Sequence, residues 1–234
     1  MSPENQTMPQ AVAEIFEPLR NELIGLHERW ALYQSVFGAN EEQFDMLKRI
    51  ASNFFGYARW AMYLDLILSL CRYADPAESS KKVGHRPNLT LERLVNVVTA
   101  NNESFGDGLK ASEWPAVEVC RDRDFEEIRN KRIAHSDFVK MTARFNGQPI
   151  DWPSREQVKQ FLTLCTNLMD KVHQHYVGCP FAFDAFASYA AGSGDTLIKV
   201  LAEFTRRHAA DVEAGKARWL IDPPKGWASR LISR

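Results

Sequence analysis

The sequence lacks an excess of charge of either sign, with 29 lysine and arginine residues against 30 acidic residues and a formal charge of −1. This balance excludes a general electrostatic attraction to nucleic acid or to an anionic membrane, so any RNA or DNA would bind at a local patch. A long uncharged apolar run is also lacking. The most apolar stretch, residues 60–71, contains Asp65 and is flanked by Arg59 and Arg72. It predicts a core helix rather than a membrane span.

CxxC spacing is absent from the four cysteines, which lie at positions 71, 120, 165 and 179. This pattern favours reduced, mostly buried thiols in a cytoplasmic protein over a disulfide framework. The first ten residues lack the basic region and apolar run of a signal peptide. We therefore expect a cytoplasmic protein with no membrane partner.

Apolar residues recur at spacings of three and four through most of the chain, which is the period of an amphipathic helix. The pattern predicts helices over 12–37, 41–74, 89–100, 116–135, 153–177 and 196–208. The second is apolar on several sides after Phe54 and is the predicted central helix. Strand character is confined to 138–152, a possible hairpin or extended loop. The predicted fold class is an all-α helical bundle with short elaborations.

Polar, glycine-containing stretches predict the connections between these helices. Residues 75–88 and 101–115 are predicted loops, and 192–195 is a predicted linker in which Ser193 or Asp195 caps the next helix. We expect a helical domain over 1–180. The remainder, 181–234, is expected to be a C-terminal helical extension with a basic tail, packed on the same domain. Two tryptophans of that tail are expected to pack in a core or interface rather than to stack on bases, namely Trp219 and Trp227.

One segment stands apart because an arginine precedes a histidine by six positions near a predicted helix end. It reads Arg129-Asn130-Lys131-Arg132-Ile133-Ala134-His135-Ser136-Asp137. This segment resembles the catalytic signature of the HEPN superfamily, in its abortive-infection, AbiU-type branch. The runs at 64–75 and 88–94 are also similar to that branch, and the likeness covers about residues 10 to 180.

The resemblance implies a HEPN-type bundle and a metal-independent endoribonuclease of a phage-defence or toxin–antitoxin system. It implies catalytic roles for Arg129, Asn130 and His135, RNA contacts for Lys131 and Arg132, and no metal or other cofactor. It also implies a homodimer that builds one cleft from two protomers, an RNA substrate, and an antitoxin protein as a further partner. The alternative is a HEPN module that binds RNA or a protein without cutting.

The chemistry suits these residue types. Histidine titrates near neutral pH and can move a proton on a 2′-hydroxyl or a 5′-oxygen, while the arginine fork can stabilise charge on phosphate oxygens. On one continuous helix Arg129 and His135 would point about 120° apart. The length of arginine, an irregular last turn, or a second copy of the motif across a dimer could close that gap.

Simpler explanations compete with each site. His135 could interact with a helix dipole, and Arg129 could form a surface ion pair, in which case the motif is a coincidence in a helical scaffold. A second pair, Arg20 and His27, has a similar spacing and also has an asparagine after its arginine, yet it lies inside an apolar-periodic helix. A zinc site is disfavoured for the remaining candidates, which fit no known finger spacing: Cys165, His173, His175 and Cys179.

Overall fold

The computed structural model describes residues 7–38, 40–78, 86–125 and 152–214. These residues form helices α1 (Gln10–Phe37), α2 (Glu41–Tyr73), α3 (Leu91–Asn101), α4 (Glu103–Ala111), α5 (Glu113–Asp124), α6 (Arg155–Val177) and α7 (Ala187–Glu213). The described residues contain no strand, and their one isolated bridge joins Glu78 and Pro87. The all-α prediction is confirmed. No helix among them is long and apolar enough to cross a membrane.

The two N-terminal helices follow the apolar period of the sequence. Helix α1 continues through Pro18 without a break, and α2 is interrupted at Ala51, whose backbone is not helical. Burial in α2 is concentrated between Tyr63 and Tyr73. The prediction that α2 is buried on several sides after Phe54 is wrong for its middle, since the side chains of Phe54 and Tyr57 are 66% and 75% exposed.

Helix α4 replaces a predicted loop. The stretch contains Gly106 and Gly108, which weaken a helix, so the sequence predicts a polar connection. The side chain of Asn102 caps α4 by accepting a hydrogen bond from the backbone N–H of Phe105 at 3.1 Å. Gly106 is buried, and a Cβ on it would lie 2.3 Å from the Cα of Thr99 in α3. The two glycines therefore do not break the helix, and one of them lets it approach its neighbour.

Helix boundaries at α5 and α6 depend on local capping. Helix α5 ends at Asp124 with Phe125 as its C-cap, so the prediction of one continuous helix from 116 to 135 is wrong at Phe125. The rest of that predicted helix, 126–135, lies outside the described residues. Helix α6 begins with a capping box between Ser154 and Gln157. The helix predicted over 153–177 therefore begins two residues later, and Pro153 lies just before the Ser154 cap. Gly178 ends α6 in the left-handed conformation, with a φ of 81°, as its position after the helix predicts.

Helix α7 is longer than predicted because the 192–195 stretch is helical. The linker prediction for these residues is wrong, and neither Ser193 nor Asp195 is an N-cap. A Cβ on Gly194 would lie 1.9 Å from the Oγ of Ser35 in α1. Glycine at this position therefore permits close helix packing and does not indicate a turn.

The chain divides into two compact units, whose boundaries fall within α1 and α2. One comprises the described residues of Met1–His27 and Leu64–Phe186, and its core includes Leu23, Leu70 and Phe161. The other comprises those of Glu28–Tyr63 and Ala187–Arg234. In its core the ring of Tyr33 lies 5.3 Å from that of Tyr63. The predicted division at residue 180 stays a prediction.

Candidate functional site

The residues predicted to carry the chemistry lie outside the described residues. This applies to Arg129, Asn130, Lys131, Arg132 and His135, and also to the predicted hairpin at 138–152 except its last residue. The structure does describe both points from which the segment 126–151 extends, the end of α5 and the start of α6. Their contacts define the framework of the candidate site.

The end of α5 is fixed in the core by Phe125. Its side chain is fully buried, and its ring centroid lies 4.6 Å from that of Phe161 in α6. The backbone carbonyl of Phe125 also accepts a weak hydrogen bond from the Cys71 thiol of α2, with a sulfur–oxygen distance of 3.9 Å. Contacts with two other helices therefore hold the residue that directly precedes the segment 126–151.

Asp124 joins the two ends of the segment directly. Its carboxylate accepts a hydrogen bond from the side-chain amide of Gln157 at 2.9 Å and two from the guanidinium of Arg123 at 2.6 and 2.8 Å. The Asp124 side chain is only 5% exposed. The hydrogen bonds from Arg123 outweigh desolvation and lower the pKa of Asp124. The carboxylate is therefore ionised at neutral pH and bridges α5 and α6.

Arg121 reinforces the same end of α5 and is not available as a phosphate ligand. Its guanidinium donates to the backbone carbonyl of Ala74 at 2.9 Å, contacts the Asp122 carboxylate at 2.7 Å, and lies 6.0 Å from the ring centroid of Trp114. The side chain is 14% exposed. Arg121 therefore fixes α5 against the end of α2.

The second arginine–histidine pair, Arg20 and His27, is engaged in packing contacts. The Arg20 guanidinium pairs with the Glu17 carboxylate and lies 5.6 Å from the ring centroid of Phe181. The Nε2 atom of His27 lies 2.8 Å from the hydroxyl of Thr166. This pair therefore has structural partners on α6 and on the segment after it.

The hydrogen bonds of Thr166 determine the tautomer of His27. The Thr166 hydroxyl has one proton, which it donates to the Leu162 carbonyl at 2.8 Å, so the Nε2 atom of His27 must carry the proton of the histidine–threonine bond. Burial lowers the pKa of His27, against a smaller opposing effect of Asp184. His27 is therefore a neutral hydrogen-bond donor at neutral pH.

The histidines considered for zinc also have other partners. His173 donates through Nδ1 to the carbonyl of Cys179 at 2.8 Å. His175 stacks on Phe105 with ring centroids 3.7 Å apart and accepts a hydrogen bond at Nε2 from Asn102 at 3.2 Å. Burial lowers the pKa of His175, in agreement with a neutral acceptor. Across the described ranges, no three potential metal ligands come together.

Sequence reasoning missed the link between Asp124 and Gln157. The capping-box spacing of Ser154 and Gln157 was a readable signal for the start of α6. Nothing in the sequence pairs Gln157 with Asp124, because Asp124 stands in a run of alternating charges, Arg121-Asp122-Arg123-Asp124. Only the tertiary arrangement distinguishes the buried carboxylate from its exposed neighbour Asp122.

Comparison with known proteins gives one family. The chain matches the family model HEPN_AbiU2, described as AbiU2, over residues 9–197, a range that contains α1 to α6 and the motif segment. No curated protein matches the chain, and no solved structure does. The family match covers well over half of the 234 residues, and the chain therefore belongs to the AbiU2 family of HEPN domains.

Proposed function

We propose that this HEPN domain is a metal-independent endoribonuclease that acts in phage defence or in a toxin–antitoxin system. The observation that carries the proposal is the position of the motif. The motif contains Arg129, Asn130 and His135 and lies inside the matched range 9–197. Its first residue follows Phe125, the anchored end of α5, by four positions. Family membership supports an abortive-infection role.

In the proposed reaction the 2′-oxygen of RNA attacks the adjacent phosphorus, and the bond to the 5′-oxygen breaks. His135 takes the proton of the 2′-hydroxyl or supplies the proton that the leaving 5′-oxygen needs. Arg129 stabilises the negative charge on the phosphate oxygens. Asn130 orients the phosphate by hydrogen bonding, and Lys131 and Arg132 contact the neighbouring RNA backbone.

The described contacts support this proposal by providing a rigid base. Catalytic side chains need support from packed elements if they are to remain in a productive geometry. The core contact of Phe125 with Phe161 and the hydrogen bond between Gln157 and Asp124 fix both flanks of the segment. A segment that begins and ends on two such helices is a suitable place for a site.

A homodimer and an antitoxin protein belong to the same proposal. Arg129 and His135 lie outside the described residues, so their 120° separation stays a prediction, and the family resemblance supports the dimer. In the proposed dimer, two copies of the motif line one cleft.

A cleavage assay with a chemical readout tests the proposal. The purified full chain is incubated with a mixed pool of structured and unstructured RNAs in the presence of EDTA, and the new ends are mapped. We expect 5′-hydroxyl ends together with 2′,3′-cyclic phosphates, and no new ends with the H135A variant. RNA binding without any cleavage would reject the ribonuclease and favour the HEPN binding module. If the chain neither cleaves nor binds RNA, both RNA functions are rejected.

A further inference from the structure

Helix α7 presents an apolar face to solvent. Tyr189, Leu197, Val200 and Phe204 are 82%, 43%, 61% and 48% exposed, although each is a large apolar or aromatic side chain. Because successive helical residues are turned by about 100°, these four lie within an arc of about 80°. A different side of the helix, at Gly194, packs against α1. Among the residues that the structure describes, nothing covers this arc, which is a face of its own rather than the margin of a buried one.

This face has the spacing of a coiled-coil seam. The residues Ala190, Ser193, Leu197, Val200, Phe204 and Arg207 follow one another at alternating intervals of three and four. This is the a-and-d pattern of two heptads, with Ala190, Leu197 and Phe204 at a and the other three at d. Val200, Phe204 and Arg207 lie beyond residue 197, where the family match ends. Half of the seam residues therefore lie outside the range that the family model matches.

The seam is complementary to itself in the antiparallel direction. In an antiparallel pair, a positions of one helix face d positions of the other. Aligning Leu197 with Val200 of a second copy also places Phe204 opposite Ser193 and Ala190 opposite Arg207. The largest side chain of the seam therefore meets a small one on both sides of the two-fold axis. Gly192, beside Ser193, has open space around it, which leaves room for the opposing ring.

We propose that α7 forms an antiparallel two-fold contact with α7 of a second copy of this chain. A two-fold axis requires one surface to complement itself, and the small-against-large order of the seam meets this condition. The aromatic ring of Tyr189 at one end would also lie near the Arg207 guanidinium of the second copy, an arrangement that favours a cation–π contact. Arg207 retains its ion pair with Glu203, at 2.6 Å on the same helix.

The strength of this contact follows from its size. Two heptads bury on the order of 1,000 Å² in total, at the low end for specific interfaces, so we expect a dissociation constant in the micromolar range. The contact involves no residue of the motif. A failure of this inference is therefore seen when a seam variant leaves self-association unchanged. A failure of the proposed ribonuclease is seen in the cleavage assay, and a failure of the proposed motif dimer when motif variants leave self-association unchanged.

Sedimentation equilibrium of the full chain, over about 1 to 300 µM, tests the contact. The variant V200K puts a charge in the seam, and A202K puts the same charge on an exposed position on another side of α7. We expect V200K to weaken self-association at least about tenfold and A202K to leave it unchanged. A monomeric wild type, or equal effects of the two variants, would overturn the proposal.

A residue swap tests the antiparallel alignment itself. S193F places two large rings opposite each other, and F204S leaves a gap, so each alone should weaken association. The double variant S193F/F204S again sets a large side chain against a small one and should recover most of the wild-type affinity. A double variant that associates no better than the weaker single variant would contradict this alignment. Circular dichroism confirms that each variant is folded.

Discussion

Two arginine–histidine pairs of this chain are alike in sequence and differ in their place along the chain. Arg20 and His27 lie within α1, where Glu17, Phe181 and Thr166 engage them in packing contacts. Arg129 and His135 follow the anchored end of α5. The spacing of two residue types therefore does not identify a site. The spacing fits Arg20 and His27 as well, yet neighbouring side chains already occupy the groups of this pair that catalysis would need.

The largest expected effect concerns the histidine of the motif, His135. His135→Ala should lower RNA cleavage by about 10²–10⁴-fold, because it removes the group that moves the proton. Initial rates on one labelled RNA measure the effect. The control is H27A, which should retain wild-type cleavage when it is assayed below its melting temperature. Equal losses in the two variants would remove the distinction between the pairs.

The arginine of the motif, Arg129, should have a smaller effect on cleavage. Arg129→Ala should lower cleavage by about 10²–10³-fold through lost stabilisation of the phosphate charge. Arg129→Lys should recover only part of the loss, because an ammonium group does not reproduce the bidentate guanidinium fork. Single-turnover rates separate this effect from RNA binding. Full recovery by lysine would show that charge alone suffices and would contradict the bidentate role.

Arg20, the arginine of the other pair, should matter only for stability. Arg20→Ala removes an ion pair with Glu17 and a cation–π contact with Phe181 at the surface, so we expect a loss of less than about 1 kcal/mol in the free energy of unfolding. Urea denaturation measures this loss. Cleavage by the variant should be unchanged, and a large loss of cleavage would place Arg20 in the site after all.

His27 should make stability depend on pH in a defined direction. Burial lowers its pKa in the folded chain below the usual histidine value of 6.5, so the unfolded chain binds a proton more readily. Its contribution to stability is therefore present above pH 6.5 and decreases as the pH falls below that value. The His27→Gln variant keeps a donor to Thr166 without titrating. Its melting temperature should fall less between pH 7 and 5 than that of the wild type.

The smallest expected effect is that of a chelator. The proposed reaction uses only side chains of the motif and no metal ion, so millimolar EDTA should leave the cleavage rate unchanged. Rates measured with EDTA, and then with added Mg²⁺ or Mn²⁺, test this independence. A loss of cleavage on chelation that a metal ion restores would contradict the metal-independent mechanism while leaving the family assignment intact.

The helices that the sequence predicted well are those with apolar periodicity and clear ends. Helices α1 and α6 are examples, and Gly178 ends α6 as its position indicated. Helix α4 and the first turns of α7 are not predicted, because glycine in a sequence indicates a loop. In both places a glycine permits close contact with another helix, at Thr99 and at Ser35. A single sequence carries no signal that separates a packing glycine from a turn glycine.

The candidate site could be predicted only as a motif. Residue types and spacing led to Arg129 and His135, and the family match includes them. The fixed flanks could not be predicted, because Asp124 and Gln157 are 33 positions apart and meet only in the folded chain. Likewise, periodicity predicted a helix over 196–208 but did not show that the other described residues leave one apolar face of it exposed.

The contact between α3 and α4 has a consequence for how relatives of this chain can diverge. A Cβ on Gly106 would lie 2.3 Å from the Cα of Thr99, a backbone atom that a change of rotamer cannot move. Any substitution at Gly106 must therefore separate the two helices, and a compensating change would have to alter the backbone. We expect AbiU2 proteins that keep this helix pair to keep glycine here, although alanine is the better helix former. Position 106 thus provides a marker of the helix pair that can be checked in any relative from its sequence alone.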